Sequence, residues 1–208
     1  MKNNDFSEIV YQRRSIKVFD ENVKISREEL LEMIDEAVLA PSSLNLQPWR
    51  FVVVDTPEGK DLLRPMVMFN ARQNDTSSAM IVLFGDMKCQ EQADTILSRM
   101  VEKEMMTNEM KLQFLNTFVP FYDSLSKQEM NDIVKIDTSL MAMQFMLVAR
   151  SHGYDTNAIG GFNKAEIAQT LGLDPERYVP VMILAIGKAN YEPHGTLRLS
   201  ADEITNFK

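Results

Sequence analysis

Apolar positions recur along this chain at several spacings, and each spacing marks a different kind of element. Leu30, Ile34, Ala37 and Val38 fall at helical spacing behind Ser26-Arg27-Glu28-Glu29, where Ser26 and Glu29 make a capping box, so a helix with one buried face is expected over 26–40. Phe51-Val52-Val53-Val54 predicts a strand over 50–55, and the unbroken apolar runs 80–84 and 179–186 read as buried strands. Residues 131–152 predict a long helix that is apolar almost all round from Leu140 to Ala149, the mark of a central helix buried on most sides, with Gly153 just past its end. Shorter helices are expected over 6–14, from Thr56-Pro57-Glu58 onward and over 163–172, with a crossover or short strand over 155–161. Ile96, Met100 and Val101, then Met110, Phe114 and Leu115, repeat at helical spacing, so 90–125 reads as a helical excursion interrupted near Pro120. Residues 69–75 are polar enough to line a site, and the tail 188–208 is polar with scattered apolar residues. Mixed strands and helices without a linker or repeat predict one α+β (mixed α/β) domain over 1–208.

Composition narrows the function. The chain has 208 residues, 45% of them hydrophobic and 25% charged, the profile of an ordinary globular protein with a real core. A net charge of -8 argues against nucleic acid as a partner, though not against a local cationic pocket for one phosphate. Cys89 is the only cysteine, which excludes an intrachain disulfide and a thiolate metal cluster. His152 and His194 stand in no metal-ligand spacing, so no metal is expected. The N-terminus lacks a signal-peptide core and no apolar run approaches a membrane span, which makes the cytoplasm the expected location. The 15 methionines read as adaptable core packing.

The chemistry concentrates in Pro41-Ser42-Ser43-Leu44-Asn45-Leu46-Gln47-Pro48-Trp49, a polar stretch between an apolar helix and an apolar strand. Its prolines predict a rigid, extended backbone that presents Ser42, Ser43, Asn45 and Gln47 to a planar polar ligand. The same residues also suit an ordinary helix-to-strand loop, with Trp49 as a packing residue. Arg13, Arg14 and Ser15 offer two guanidiniums and a hydroxyl within three residues, either for a phosphate or as a solvated helix end. Phosphate loops, dinucleotide glycine fingerprints and nucleophile elbows are absent from the sequence.

The loop P-S-S-x-N-x-Q-P-W resembles the signature loop of the bacterial FMN-dependent nitroreductase family. Arg13-Arg14-Ser15-Ile16-Lys17-Val18-Phe19 resembles that family's N-terminal R-x-S-x-[KR]-x-[FY] motif, and Ile159-Gly160-Gly161-Phe162 matches a third, weaker segment, so the likeness covers nearly the whole chain. The resemblance implies a central mixed sheet flanked by helices, a C-terminal tail wrapping onto a partner subunit, and a homodimer using FMN with NAD(P)H as co-substrate. It implies cofactor contacts from Arg13, Arg14, Ser15, Lys17, Pro41, Ser42, Ser43, Asn45, Gln47, Asn70, Gln73, Gly160, Gly161 and Arg198. Lys17 would stand by flavin N1 and the C2 carbonyl, and Gly161 by N5. No catalytic side chain is expected, since the hydride travels on the flavin. Thr196 stands where some members carry a second basic residue, Gly160 where some carry Glu, and Gln73 where certain members carry Lys. Phe118, Phe121 and Tyr122 read either as an aromatic wall for the substrate or as core, with core favoured for at least one. The expected activity is hydride transfer from NAD(P)H through the flavin to nitroaromatics, quinones or related flat acceptors by a ping-pong mechanism. The rival readings are a flavin-binding redox sensor without turnover and a flavin-free structural dimer.

Overall fold

β2 (Ala79–Asp86) is the spine of the fold, buried at every residue. The structure is a computed structural model that describes residues 2–208. β2 pairs antiparallel with β1 (Trp49–Val54) and with β4 (Tyr178–Gly187), and β4 pairs antiparallel with β3 (Asp155–Ile159), giving the strand order β1-β2-β4-β3. The parallel component of the sheet is a single bridge from Ser15 to Thr156, where the Ile16 amide donates to the Thr156 carbonyl at 3.0 Å. That bridge lays residues 13–17 along β3.

Side chains of a strand alternate between faces, and both faces of this sheet are covered. Ala79, Ile81 and Leu83 with Leu184 and Ile186 pack under α2 (Arg27–Ala37) and α7 (Lys127–Ser151), against Leu30, Met33, Met141, Phe145 and Ala149. Met80, Val82 and Phe84 with Ile183 and Ala185 pack on the other face against Ile16, Phe19, Leu63, Ile159, Phe162 and Ile167. Each fully buried Leu, Ile, Phe or Met contributes about 1.5–3 kcal/mol. Trp49 is buried in the first of these layers, the packing role its surroundings predict.

The remaining elements are α1 (Phe6–Gln12), α3 (Pro57–Leu63), α4 (Ala71–Thr76), α5 (Ala93–Glu102), α6 (Asn108–Ser124), α8 (Ile167–Thr170) and α9 (Ala201–Ile204). Three expectations change. The long helix starts at Lys127 instead of residue 131, because Ser126 and Glu129 close a capping box on its first turn. α6 runs through Pro120 without a break; Pro120 lies in the final turns with Asn116 exposed beside it, so the carbonyl it leaves unpaired can be hydrated. The helix expected over 163–172 contracts to α8. α7 meets β2 closely: a Cβ at Gly85 would lie 2.6 Å from Val134 Cγ2, so this position takes glycine alone. No helix among the described residues is long and apolar enough to cross a membrane.

α7 is not enclosed on most sides within one chain. Met141, Ala142, Phe145 and Ala149 are buried, but Ile136, Leu140 and Met143 are exposed at 61%, 48% and 41%. They form an apolar strip that continues into a groove of about 530 Å³ with Phe6, Pro41 and Leu147.

Candidate functional site

The Ser15 bridge positions the first half of the site. It carries Arg13, Arg14, Ser15 and Lys17 past β3 to meet the returning tail, and together with Tyr191 and Arg198 they line a cavity of about 320 Å³. Thr196 lines it too, leaving one tail cation where a second basic residue would stand in some related chains. The Lys17 amide donates to the Tyr191 hydroxyl at 3.2 Å, which ties the tail to this strand. Among the described residues none of Arg13, Arg14, Lys17 and Arg198 forms an ion pair. Arg13 is half-buried, and its pKa is pushed down first by burial, then by the like charges of Arg198 and Arg14. Guanidiniums gathered without a carboxylate repel one another, and an anion between them relieves that repulsion while accepting several N–H donors.

Just past β3 lie Gly160 and Gly161, and the start of α4 brings Asn70 and Gln73 against them. Asn70 Nδ2 donates to the Gly161 carbonyl at 2.9 Å and to the Val67 carbonyl at 3.1 Å, and buried Gln73 donates to Asn70 Oδ1 at 3.1 Å. This chain of amides holds the Gly160–Gly161 backbone in one orientation. Both glycines are exposed. A Cβ at Gly160 would meet nothing within 4 Å, and one at Gly161 only Asn70 Nδ2 at 3.9 Å, so the protein's own packing does not require glycine there. The bare backbone leaves room for a close-lying ligand.

The proline-framed loop is built differently from the extended segment its prolines predict. Residues Ser43–Asn45 form a single 3-10 turn, and Leu44, Asn45 and Gln47 take φ of 53°, 56° and 48°. Left-handed backbone is uncommon outside glycine, and bulky Leu tolerates it poorly. Several contacts hold the turn. Leu46 is buried in a third apolar cluster with Cys89, Tyr122, Met130 and Val134. The Asp86 amide donates to the Pro48 carbonyl at 2.8 Å. The Gln47 amide donates to Ser42 Oγ at 3.1 Å, and the Ser43 amide and hydroxyl both donate to the Asp137 carboxylate at 3.0 and 3.1 Å. Gln47 Nε2 reaches Asn45 Oδ1 at 3.3 Å. Ser42 and Ser43 therefore already serve the loop itself, and exposed Pro41 and Asn45 are its outward-facing members.

Asp137 was not legible as part of this site. It is 3% exposed on the buried side of α7, and burial raises its carboxyl pKa against the opposing effect of the Ser43 hydrogen bonds. The only signal in the sequence is an acid inside an otherwise apolar helical repeat. Tyr122 is core, at 4% exposure, whereas Phe118 and Phe121 are exposed on α6, Phe118 with its ring centroid 4.8 Å from that of Phe114. Cys89 is buried and its thiol is pushed up to about 12, chiefly by burial, so it offers no thiolate near neutral pH.

Among the described residues no hydrogen bond joins residues 41–48 to the cationic cavity or to the Asn70–Gly161 pair. The loop leads into β1 and the cavity segment is bridged to β3, the two outer strands of the sheet.

Comparison with known proteins gives one consistent answer. Residues 10–188 match the family model described as Nitroreductase family. The chain is 49% identical, over all 208 residues and the whole of the relative, to YdgI of Bacillus subtilis, whose provisional name is NAD(P)H nitroreductase. It is 45% identical to the CLA biosynthesis enone reductase of Lactiplantibacillus plantarum, over 99% of this chain and 95% of that one. A structure from Exiguobacterium sibiricum, solved in complex with FMN, superposes with a TM-score of 0.97 at 47% identity, covering 100% of this chain and 99% of that one.

Proposed function

The chain belongs to the nitroreductase family, and on that footing we propose that it is an FMN-dependent oxidoreductase that draws electrons from NAD(P)H and works as a homodimer. One observation carries the reading: the cavity where Arg13, Arg14, Ser15 and Arg198 converge with no carboxylate in its lining. A phosphate monoester carries close to two negative charges and matches guanidinium forks and a hydroxyl. Arg13, Arg14, Ser15 and Arg198 would hold the phosphate. Lys17, on the same wall, would stand by N1 and the C2 carbonyl, where a cation favours the reduced cofactor. Asn70 would meet the ring edge with buried Gln73 orienting it from behind, and the Gly161 backbone, with Gly160 beside it, would come close enough to donate to N5.

When bound, FMN supplies hydride acceptance from NAD(P)H and, after the nicotinamide has left, donation to a second substrate. The protein's part is to bind, orient and tune; no side chain is assigned as a general acid. Pro41, Ser42, Ser43, Asn45 and Gln47 are assigned to the flavin of a second copy. The separation of the loop from the cavity supports this, as does the exposed apolar strip of Ile136, Leu140 and Met143, which a symmetric partner would cover. The tail's exposed Leu197, Leu199 and Phe207 fit the same arrangement, in which the tail wraps onto the partner. Phe118 and Phe121 would flank the acceptor. Nitroaromatics and quinones suit such a site, and so does the conjugated C=C–C=O of an enone, the class named for the Lactiplantibacillus relative; all are flat π systems.

The test begins with an absorption spectrum of the purified protein and identification of any extracted cofactor. NADH and NADPH are then added without air, followed by a quinone, a nitroaromatic and an enone in parallel. Yellow protein that releases FMN, bleaches within seconds and recolours with an acceptor supports the reading. Extracted FAD, or protein that stays colourless after FMN is added, overturns it. Yellow protein that bleaches only over hours points to a binding protein without turnover.

A further inference from the structure

Asp137 has no role in the function proposed above and is badly placed for stability. Its buried neighbours on α7 are apolar Val134 and Met141 and the hydroxyl-bearing Thr138, all fully buried, and Thr138 makes no hydrogen bond to it. A carboxylate taken out of water needs a cation or several donors. Asp137 has neither a cation partner among the described residues nor any donor beyond the two from Ser43. The other titratable groups facing it are Tyr122 from α6 and the Cys89 thiol from the turn after β2, and neither carries positive charge. The basic side chain that acts on Cys89, Arg50, is itself paired with Asp86 at 3.0 Å. An apolar residue would serve the core better.

What the carboxylate does is hold one turn. Its two oxygens take the amide and hydroxyl hydrogens of Ser43, at the start of the segment in which three non-glycine residues are left-handed. A strained turn persists only where its surroundings over-determine it. Here Leu46 anchors one end of the turn in the core and Asp137 holds the other.

We propose that Asp137 is a positioning residue: its buried carboxylate clamps the left-handed turn through Ser43 and so sets Ser42, Asn45 and Gln47 for the flavin they meet. The proposal rests on the FMN reading given above. The clamp sacrifices fold stability for loop order. A carboxyl whose pKa is raised on folding stabilises the fold fully below its unfolded pKa, and that contribution is lost as pH rises through the folded pKa. The clamp has the opposite dependence. Acidification through the raised pKa neutralises the acceptor, weakens both Ser43 hydrogen bonds and loosens the loop.

The experiment uses full-length wild type, Asp137→Ala and Asp137→Asn. It measures FMN affinity by fluorescence quenching, melting of the FMN-free protein, and the pH dependence of the Ser43 amide ¹⁵N shift. The alanine variant should bind FMN about tenfold more weakly or worse, the scale of a lost charge-assisted hydrogen bond, while its FMN-free form melts no lower than wild type. The asparagine variant, which keeps an acceptor for the Ser43 amide, should recover part of the affinity and lose its fall on acidification. The Ser43 amide shift should titrate above the ordinary Asp range in wild type and stay flat in the asparagine variant. The proposal is overturned if both variants bind FMN like wild type, if stability and affinity fall together in both, or if the Ser43 amide does not titrate. If Asp137→Ala does not fold, the asparagine variant and the amide titration decide. Wild type that binds no FMN sinks the FMN reading instead, and the amide titration and melting curves still test the clamp.

Discussion

The cationic cavity and the proline-framed loop are both made of polar residues, yet they are built on opposite plans. In the cavity, Arg13, Arg14, Lys17 and Arg198 converge without counter-ions, and burial with like charge depresses the pKa of Arg13. In the loop, nearly every polar group is already engaged: Ser42 with the Gln47 amide, Ser43 with Asp137, Gln47 with Asn45. The first region is short of partners and gains by binding an anion. The second is complete and strained, and offers a shape. Changes in the cavity should therefore register in ligand affinity with little effect on the fold, whereas changes in the loop should register in the fold as well.

The largest test asks whether the two plans meet only between subunits. Arg13→Glu repels a phosphate and Asn45→Asp disturbs the ring contacts, so each homodimer should be inactive. If the cavity of one chain works with the loop of the other, each heterodimer carries one doubly damaged site and one intact site. Co-refolding equal pools should restore about one quarter of wild-type sites. Heterodimers that form but stay at the level of the separate variants would mean that the loop serves its own subunit's flavin, or none.

Next in size is Leu46→Ala. Leu46 is 3% exposed and anchors the turn, so this truncation should cost the FMN-free protein about 2–5 kcal/mol in chemical denaturation. Arg13→Ala and Arg198→Ala should instead weaken FMN by about 1–3 kcal/mol each, measured by fluorescence titration, with rising salt narrowing the gap to wild type. Neither should lower FMN-free stability, because each removes a repelled charge. A large loss of stability in the arginine variants, or none in Leu46→Ala, would erase the distinction between the regions.

What the sequence disclosed follows the same division. The cavity was legible because Arg13, Arg14 and Ser15 are contiguous, while Arg198, far off in the chain, was placed with them only by the resemblance; that they line one cavity is what the fold adds. The strands 80–84 and 179–186 were legible because a strand buried on both faces is apolar at every position. The loop's motif could be read, but its conformation could not. Local preferences assign Pro41 and Pro48 to extended backbone, and the left-handed turn between them is imposed by distant contacts with Asp137 and Asp86. Asp137 escaped because one acid in an apolar helix carries no local sign of its partner 94 positions away. Pro120 misled for the opposite reason: its local effect is real, but an exposed final turn absorbs it.

The smallest effect is the most discriminating for the loop. Gln47 holds φ of 48° and Asn45 φ of 56°. A left-handed residue other than glycine costs about 1–2 kcal/mol, less for Asn, whose short amide tolerates the region. Gln47→Gly removes that strain, but glycine returns roughly 0.5–1 kcal/mol through the greater freedom of the unfolded chain. The balance should leave the FMN-free protein more stable by up to about 1 kcal/mol. Asn45→Ala puts a Cβ with no compensating amide into the same conformation and should destabilise by about the same amount. Urea denaturation at matched m-values resolves both signs. If both changes destabilise, the Gln47–Asn45 side-chain bond at 3.3 Å outweighs the backbone term and the turn is held from within. If the signs split as stated, the turn is held against its own preference by Leu46 and the Asp137 carboxylate, and its geometry is maintained for what it contacts.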